Sequence, residues 1–136
     1  MILLRRGCAD DEAAVGALLA ACDMEGPLDP GECLIAEDGG RLAGLARVER
    51  AGGVAYLRPV AVAPGYRGRG TGRMLVDALA RQEGELRVVA RGSASGFYTA
   101  LAFAPLAWER VDPAYQAECE VCPDLEECRP VGMLRI

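Results

Sequence analysis

Arg67-Gly68-Arg69-Gly70-Thr71-Gly72 stands between a β-like run, Val54 to Val62, and a helical pattern carrying Met74, Leu75, Ala78 and Leu79 on one side. Glycines at this spacing let successive backbone N–H groups turn into one concavity, and the helix behind them adds the positive end of its dipole. Such a turn binds phosphate. Arg67, Arg69 and Arg73 gather positive charge there in a chain whose formal net charge is -5, and guanidinium forks suit phosphate oxygens. A P-loop needs Gly-Lys-Ser/Thr, and this chain has no lysine. A dinucleotide fingerprint follows the first strand of a parallel unit, whereas this turn follows a fourth strand that a hairpin connects to the third. What remains is a pyrophosphate carried by something other than a nucleoside triphosphate or a nicotinamide dinucleotide.

Upstream of the turn, Cys33 to Glu37 and Leu42 to Glu49 read as strands joined by Asp38-Gly39-Gly40, and Gly52-Gly53 opens a second hairpin into Val54 to Val62. Pro59 removes a ladder donor, so this strand is expected to be distorted or to stop pairing near its end. Residues 2–6 read as a first strand, followed by a helix capped by Asp10 with Val15, Leu18, Leu19 and Cys22 on one face; Pro27 and Pro30 make 25–31 a loop or a single irregular turn. Downstream, Gly84 ends the helix, Leu86 to Ala90 is a strand, Ala94 to Leu101 a short helix, Leu106 to Val111 a strand and Val131 to Ile136 a last strand. The order β-α-β-β-β-α-β-α-β-β is an α/β fold, a mixed sheet with helices on its faces. It occupies one domain, 1–136, with a cysteine-containing tail over 117–136.

Composition narrows the chemistry. A chain of 136 residues that is 51% hydrophobic and 26% charged reads as one globular domain. Its acidic balance gives no general reason to bind nucleic acid. No apolar run approaches the ~18 residues of a membrane span, and Met1-Ile2-Leu3-Leu4 runs into Arg5-Arg6 without a signal-peptide core, so no membrane partner and a cytoplasmic location are expected. All 15 basic residues are arginine and histidine is absent, which excludes Ser-His, Cys-His and histidine-ligated metal chemistry. Any general base is a carboxylate, tyrosine, cysteine or water.

Val60-Ala61-Val62-Ala63-Pro64-Gly65-Tyr66-Arg67-Gly68-Arg69-Gly70-Thr71-Gly72, followed by Met74-Leu75, resembles the acetyl-CoA signature of the GNAT acyltransferases, and Ala94 to Phe103 resembles that superfamily's second motif. The resemblance implies an acetyl-CoA-dependent N-acetyltransferase acting on a primary amine by direct attack in a ternary complex, with homodimerisation a family analogy. It implies that the backbone of Val60, Ala61 and Val62 lines the pantetheine, that an N–H near Val62 polarises the thioester carbonyl, and that Arg67, Gly68, Arg69, Gly70, Thr71 and Gly72 cradle the pyrophosphate. Tyr98 matches the position whose hydroxyl lies near the thioester sulfur. The other, less favoured reading is a core aromatic beside Phe97 on a short helix. Ala102 stands where the family has glycine, so the helix end needs another cap or a left-handed residue.

Tyr56-Leu57-Arg58-Pro59-Val60 is similar to a run in short GNAT proteins resembling N-acetylglutamate synthases and arsenic-resistance acetyltransferases, as is the Cys119-x-x-Cys122-Pro123 ending with Cys128. Arg58 suits an α-carboxylate, giving an amino acid or small anionic amine as acceptor; a structural salt bridge is the other reading. Glu37, Glu49 and Asp112 are acids that a water chain could enlist as base, and none is assigned. Cys119, Cys122 and Cys128 offer three thiolates to zinc, but a fourth ligand would have to come from Cys33, Cys22, Cys8, a carboxylate or a partner chain, so a reduced, packed tail is favoured over a metal. A module that binds acyl-CoA without turnover is the alternative function.

Overall fold

The computed structural model describes residues 1–24 and 26–136. In chain order the elements are β1 (Ile2–Arg6), α1 (Glu12–Ala21), β2 (Cys33–Asp38), β3 (Arg41–Ala51), β4 (Val54–Val62), α2 (Thr71–Glu83), β5 (Leu86–Ala90), α3 (Ser95–Ala100), β6 (Ala104–Leu106), α4 (Pro113–Glu120), α5 (Leu125–Cys128) and β7 (Val131–Arg135). The strands follow the order β1-β2-β3-β4-β5-β7-β6, with β4 and β5 parallel and β1-β2, β2-β3, β5-β7 and β6-β7 antiparallel. This is the mixed sheet expected from the pattern. No described helix is long and apolar enough to cross a membrane.

Contacts gather the chain into two compact units, Met1–Val48 with Arg58–Leu79, and Glu49–Leu57 with Ala80–Ile136. In the first, Val15, Leu18 and Leu19 of α1 pack with Cys33, Ile35, Leu45 and Ala61 in an aliphatic core. The hairpin between β2 and β3 turns on Gly39 (φ 55°) and Gly40 (φ 86°), the two positive values that a two-residue turn matching the strand twist requires. Gly44 on β3 is needed for a different reason: a Cβ there would stand 2.9 Å from the Ala61 carbonyl oxygen and 3.3 Å from the Thr71 methyl. Helix α2 can therefore lie close over β3 and β4.

Asp10 does not cap α1. A 3₁₀ turn, Ala9–Asp11, leads into the helix, and the Asp11 carboxylate accepts the Cys8 N–H at 2.9 Å while Arg5 grips both its oxygens at 2.8 Å. The buried face of α2 is also turned from the one expected: Thr71, Gly72, Leu75, Val76, Leu79 and Ala80 are buried, whereas Met74 is exposed. The loop expected over 25–31 is irregular from Gly26 to Asp29 and closes with a 3₁₀ turn, Pro30–Glu32; Glu25 lies outside the described residues.

In the second unit Tyr56, Leu106, Val111 and Tyr115 form an aromatic core. The strand expected over Leu106 to Val111 is instead the end of β6 followed by a 3₁₀ turn, Trp108–Arg110. The reason is Gly132: a Cβ there would meet both the Leu106 carbonyl oxygen (3.0 Å) and the Val111 side chain (2.7 Å). An extended run would hold residues 106 and 111 about 16 Å apart, so the chain must double back. Helix α4 was unexpected. Asp112 caps it by accepting the Ala114 N–H at 2.9 Å, with Pro113 at its first turn.

Candidate functional site

The Arg67-to-Gly72 turn is built as its composition requires. Gly68 (φ 75°) and Gly70 (φ 82°) adopt left-handed backbone, which side-chain-bearing residues resist. The Met74 N–H closes the first turn of α2 on the Gly70 carbonyl at 3.0 Å, so the N–H groups of Thr71 to Arg73 lie at the helix start, where no intrahelical acceptor exists. Thr71 is 2% exposed and its Oγ1 has no hydrogen-bond partner among the described residues. A buried hydroxyl without a partner is costly, and this one belongs to the first residue of α2, directly after the left-handed Gly70. Diphosphate oxygens are chemically suited to these donors.

Strand β4 presents the other half of the site within this unit. The Ala63 N–H pairs with the Ala43 carbonyl at 2.8 Å, so the Val62 carbonyl of the same trans peptide points to the opposite edge, and residues two apart repeat that direction. On that edge the ladder to β5 comprises only Tyr56–Arg87 and Leu57–Val88. Among the described residues pairing thus stops one residue before Arg58, and the backbone of Val60 and Val62 faces an edge with no described strand paired to it, while Ala61 faces β3. Pro59 lies two residues beyond the last of these pairs.

The three arginines differ. Arg67 turns back: its Nε donates to the Val62 carbonyl at 3.2 Å and one Nη to Cys22 Sγ at 3.5 Å, and the Cys22 thiol donates to the same carbonyl at 3.5 Å. Arg69 lies over the Tyr66 ring, 5.5 Å from its centroid. Tyr66 in turn donates to Asp38 at 2.7 Å, which lowers the Asp38 carboxyl from its ordinary range and raises the Tyr66 phenol. Arg73 is exposed on α2. Cys22, Tyr66 and Asp38 were not foreseen, and only the adjacency of Tyr66 to the turn could have marked it. Arg58 is half-buried, and its carbonyl accepts Arg47 Nε at 2.9 Å.

Tyr98 belongs to the second unit, on α3. It is 8% exposed and packed edge-on between Phe97 (5.0 Å) and Phe103 (5.3 Å). Its hydroxyl has no hydrogen-bond partner among the described residues, and burial pushes the phenol up to about 12. Helix α3 ends on Ala102 in the left-handed conformation (φ 68°), with Ala102 N–H donating to the Thr99 carbonyl at 3.1 Å and Phe103 N–H to the Tyr98 carbonyl at 3.0 Å. This is the glycine-type cap made with alanine.

The three acids considered as bases have other partners. Glu37 pairs with Arg5 at 3.0 Å, Glu49 accepts from the Tyr115 hydroxyl at 2.6 Å, and Asp112 caps α4. The six cysteines are free thiols. No group of three or more cysteine, aspartate or glutamate side chains converges as a metal site among the described residues.

Among solved structures, N-acetylglutamate synthase from Neisseria gonorrhoeae, complexed with coenzyme A and N-acetyl-glutamate, is similar over 99% of this chain at TM-score 0.80 and 14% identity. The chain spans only 35% of that synthase's length. Rv2747 from Mycobacterium tuberculosis, solved with CoA, is similar over 98% of both chains at TM-score 0.74 and 17% identity. Diaminobutyrate acetyltransferase EctA from Paenibacillus lautus, in complex with L-2,4-diaminobutyric acid and coenzyme A, is similar over 98% of this chain and 94% of its own at TM-score 0.66 and 18% identity. These likenesses are of fold. No curated protein sequence matches the chain. Residues 29–105, which run from the start of the β2–β4 hairpins through the nest and Tyr98 into β6, match the acetyltransferase (GNAT) domain. With more than half of its length matched and its nest and bare strand edge in that segment, the chain belongs to the GNAT acetyltransferase family.

Proposed function

We propose that the protein transfers an acetyl group from acetyl-CoA to the primary amine of an amino acid or a similar small anionic amine, and that it sits among the N-acetylglutamate synthase-like members of its family. The carrying observation is the nest: two left-handed glycines, a helix start and the unpartnered Thr71 hydroxyl, one turn after a strand whose edge is bare from Arg58 onward. The diphosphate takes the N–H groups of 68–72, and the pantetheine takes the place of the missing strand along Val60 and Val62. The Val62 N–H then donates to the thioester carbonyl, where negative charge grows as the amine attacks.

The amine nitrogen forms its bond to the carbonyl carbon, the carbon–sulfur bond breaks, and the thiolate leaves with the electron pair. Tyr98 supplies a hydrogen bond to that sulfur. Its phenol, near 12, lies about 3.5 units above an ordinary thiol near 8.5, so complete proton transfer would be uphill by ~5 kcal/mol. Tyr98 therefore acts as a protonated donor, and the proton that the thiolate finally takes is the one the amine releases. With Glu37, Glu49 and Asp112 engaged elsewhere, the acceptor ammonium loses its first proton to water. Arg58 holds the acceptor's carboxylate.

The test is a panel of amino acids, polyamines and peptide N-termini with acetyl-CoA, read by release of free thiol. Turnover confined to amino acids and reduced by Arg58→Ala supports the reading; turnover of polyamines or peptides alone, unaffected by Arg58→Ala, overturns the acceptor. Calorimetric binding of CoA with no turnover of any amine assigns the chain to a non-catalytic acyl-CoA-binding role, and absence of CoA binding by the folded protein overturns the whole.

A further inference from the structure

Resting on the cofactor reading above, we infer that Asp38 and Tyr66 are positioning residues that hold Arg69 ready as the side-chain cation for the diphosphate, whereas Arg67 braces the strand instead. The nest offers Arg67 and Arg69 side by side, and their surroundings separate them. Arg67 has spent its Nε and one Nη on the Val62 carbonyl and the Cys22 sulfur, both outside the turn. Arg69 makes no hydrogen bond and no ion pair among the described residues; it rests only on the Tyr66 ring face. All of its N–H donors remain for a ligand.

A free arginine on an exposed turn samples many rotamers, and collapsing them on a ligand weakens binding. A ring face removes much of that freedom before the ligand arrives without using a single N–H. The ring must itself stay still to do so. Tyr66 is fixed at its far end by the 2.7 Å hydrogen bond to Asp38, on the last position of β2, and the same carboxylate meets the Met1 ammonium at 3.2 Å. A phenol that donates to a carboxylate is also more electron-rich, which strengthens its attraction for a cation. The β2–β3 hairpin thus sets where the cation of the nest stands, through one ring.

Binding of CoA and of pantetheine, which lacks the diphosphate, to the full chain tests this. Arg69→Ala is expected to weaken CoA about tenfold, the scale of one charge-assisted hydrogen bond. Tyr66→Ala is expected to cost about fivefold and Tyr66→Phe and Asp38→Asn about twofold each, on the scale of an exposed cation–ring contact. Tyr66→Trp, which keeps a ring face, retains the affinity. The combined Tyr66→Ala/Arg69→Ala variant binds no worse than Arg69→Ala alone, because the ring acts only through the arginine. If Tyr66→Ala does not fold, Tyr66→Phe in the Arg69→Ala background carries the same comparison. Additive losses, or equal losses with pantetheine, overturn the inference. Should the wild type bind CoA no better than pantetheine, the cofactor reading itself has failed; a wild type that prefers CoA while the Tyr66 and Asp38 variants match it sinks the positioning role alone.

Discussion

Three tyrosines of the second unit are almost equally buried, and they are not equivalent. Tyr56 and Tyr115, 2% and 5% exposed, stack edge-on at 4.8 Å, and each hydroxyl is used: Tyr56 accepts the Asp112 N–H at 3.0 Å and Tyr115 donates to Glu49 at 2.6 Å. Tyr98 is 8% exposed between two phenylalanines with its hydroxyl unused. A buried hydroxyl that stabilises a fold is hydrogen-bonded within it. The Tyr98 phenol, pushed up to about 12 by burial of its ring, makes no hydrogen bond to the described residues, so its hydroxyl is left to solvent or to a ligand. The difference separates a scaffold aromatic from a chemical one where burial does not.

The comparison breaks most visibly under Tyr98→Phe. Loss of the donor is expected to lower kcat by about a hundredfold, the low end for a hydrogen-bond donor to developing charge, while thermal stability stays level or rises because no internal hydrogen bond is lost. In the wild type, kcat shows no alkaline fall from phenol ionisation below about pH 11, since the group loses its proton only near 12. A fall centred at pH 9 or 10 would contradict the isolated hydroxyl. Tyr115→Phe has the opposite profile: chemical denaturation should show a loss of about 1 kcal/mol from removing the Tyr115–Glu49 hydrogen bond, with turnover per folded molecule unchanged.

Smaller effects sharpen the same contrast. Ala102→Gly keeps the cap that ends the Tyr98 helix but removes the left-handed strain, and is expected to stabilise by about 1 kcal/mol in a melting experiment. At Arg5, the guanidinium holds the Asp11 carboxyl well below the usual carboxylate range. The folded state thus favours the ionised acid, so this contribution is present above about pH 4 and disappears as pH falls below it. Half-exposed, the pair contributes only about 0.5–1 kcal/mol, and Arg5→Ala should flatten that part of the acid-unfolding profile.

What the sequence made legible is what local chemistry dictates. The Gly39-Gly40 hairpin and the Gly68/Gly70 nest each follow from what a residue type permits its own backbone, whereas the left-handed residue at Ala102 was readable only through the family resemblance. Elements decided by distant partners were not legible. Residues 106–111 alternate well enough to read as a strand, and only their shared contact with Gly132, more than 20 residues away, folds them into a turn. Arg67 and Arg69 are indistinguishable as letters in a motif, and it takes Cys22, 45 residues upstream of Arg67, and Asp38, 28 upstream of Tyr66, to tell them apart. Asp112-Pro113 was a readable helix start that the cysteine pattern around it obscured.

A strand that loses one neighbour halfway along carries its own internal reference. The Ala63 amide is locked to β3, and Ala61 shares its direction, so both should resist deuterium for as long as that pairing lasts. The amides of Val60 and Val62 face the opposite way, where the β5 ladder has already ended, and should label early. This fast–slow alternation over four residues will vanish when anything settles along the bare edge, so mass-resolved isotope uptake can report occupancy without knowledge of the acceptor or a working assay.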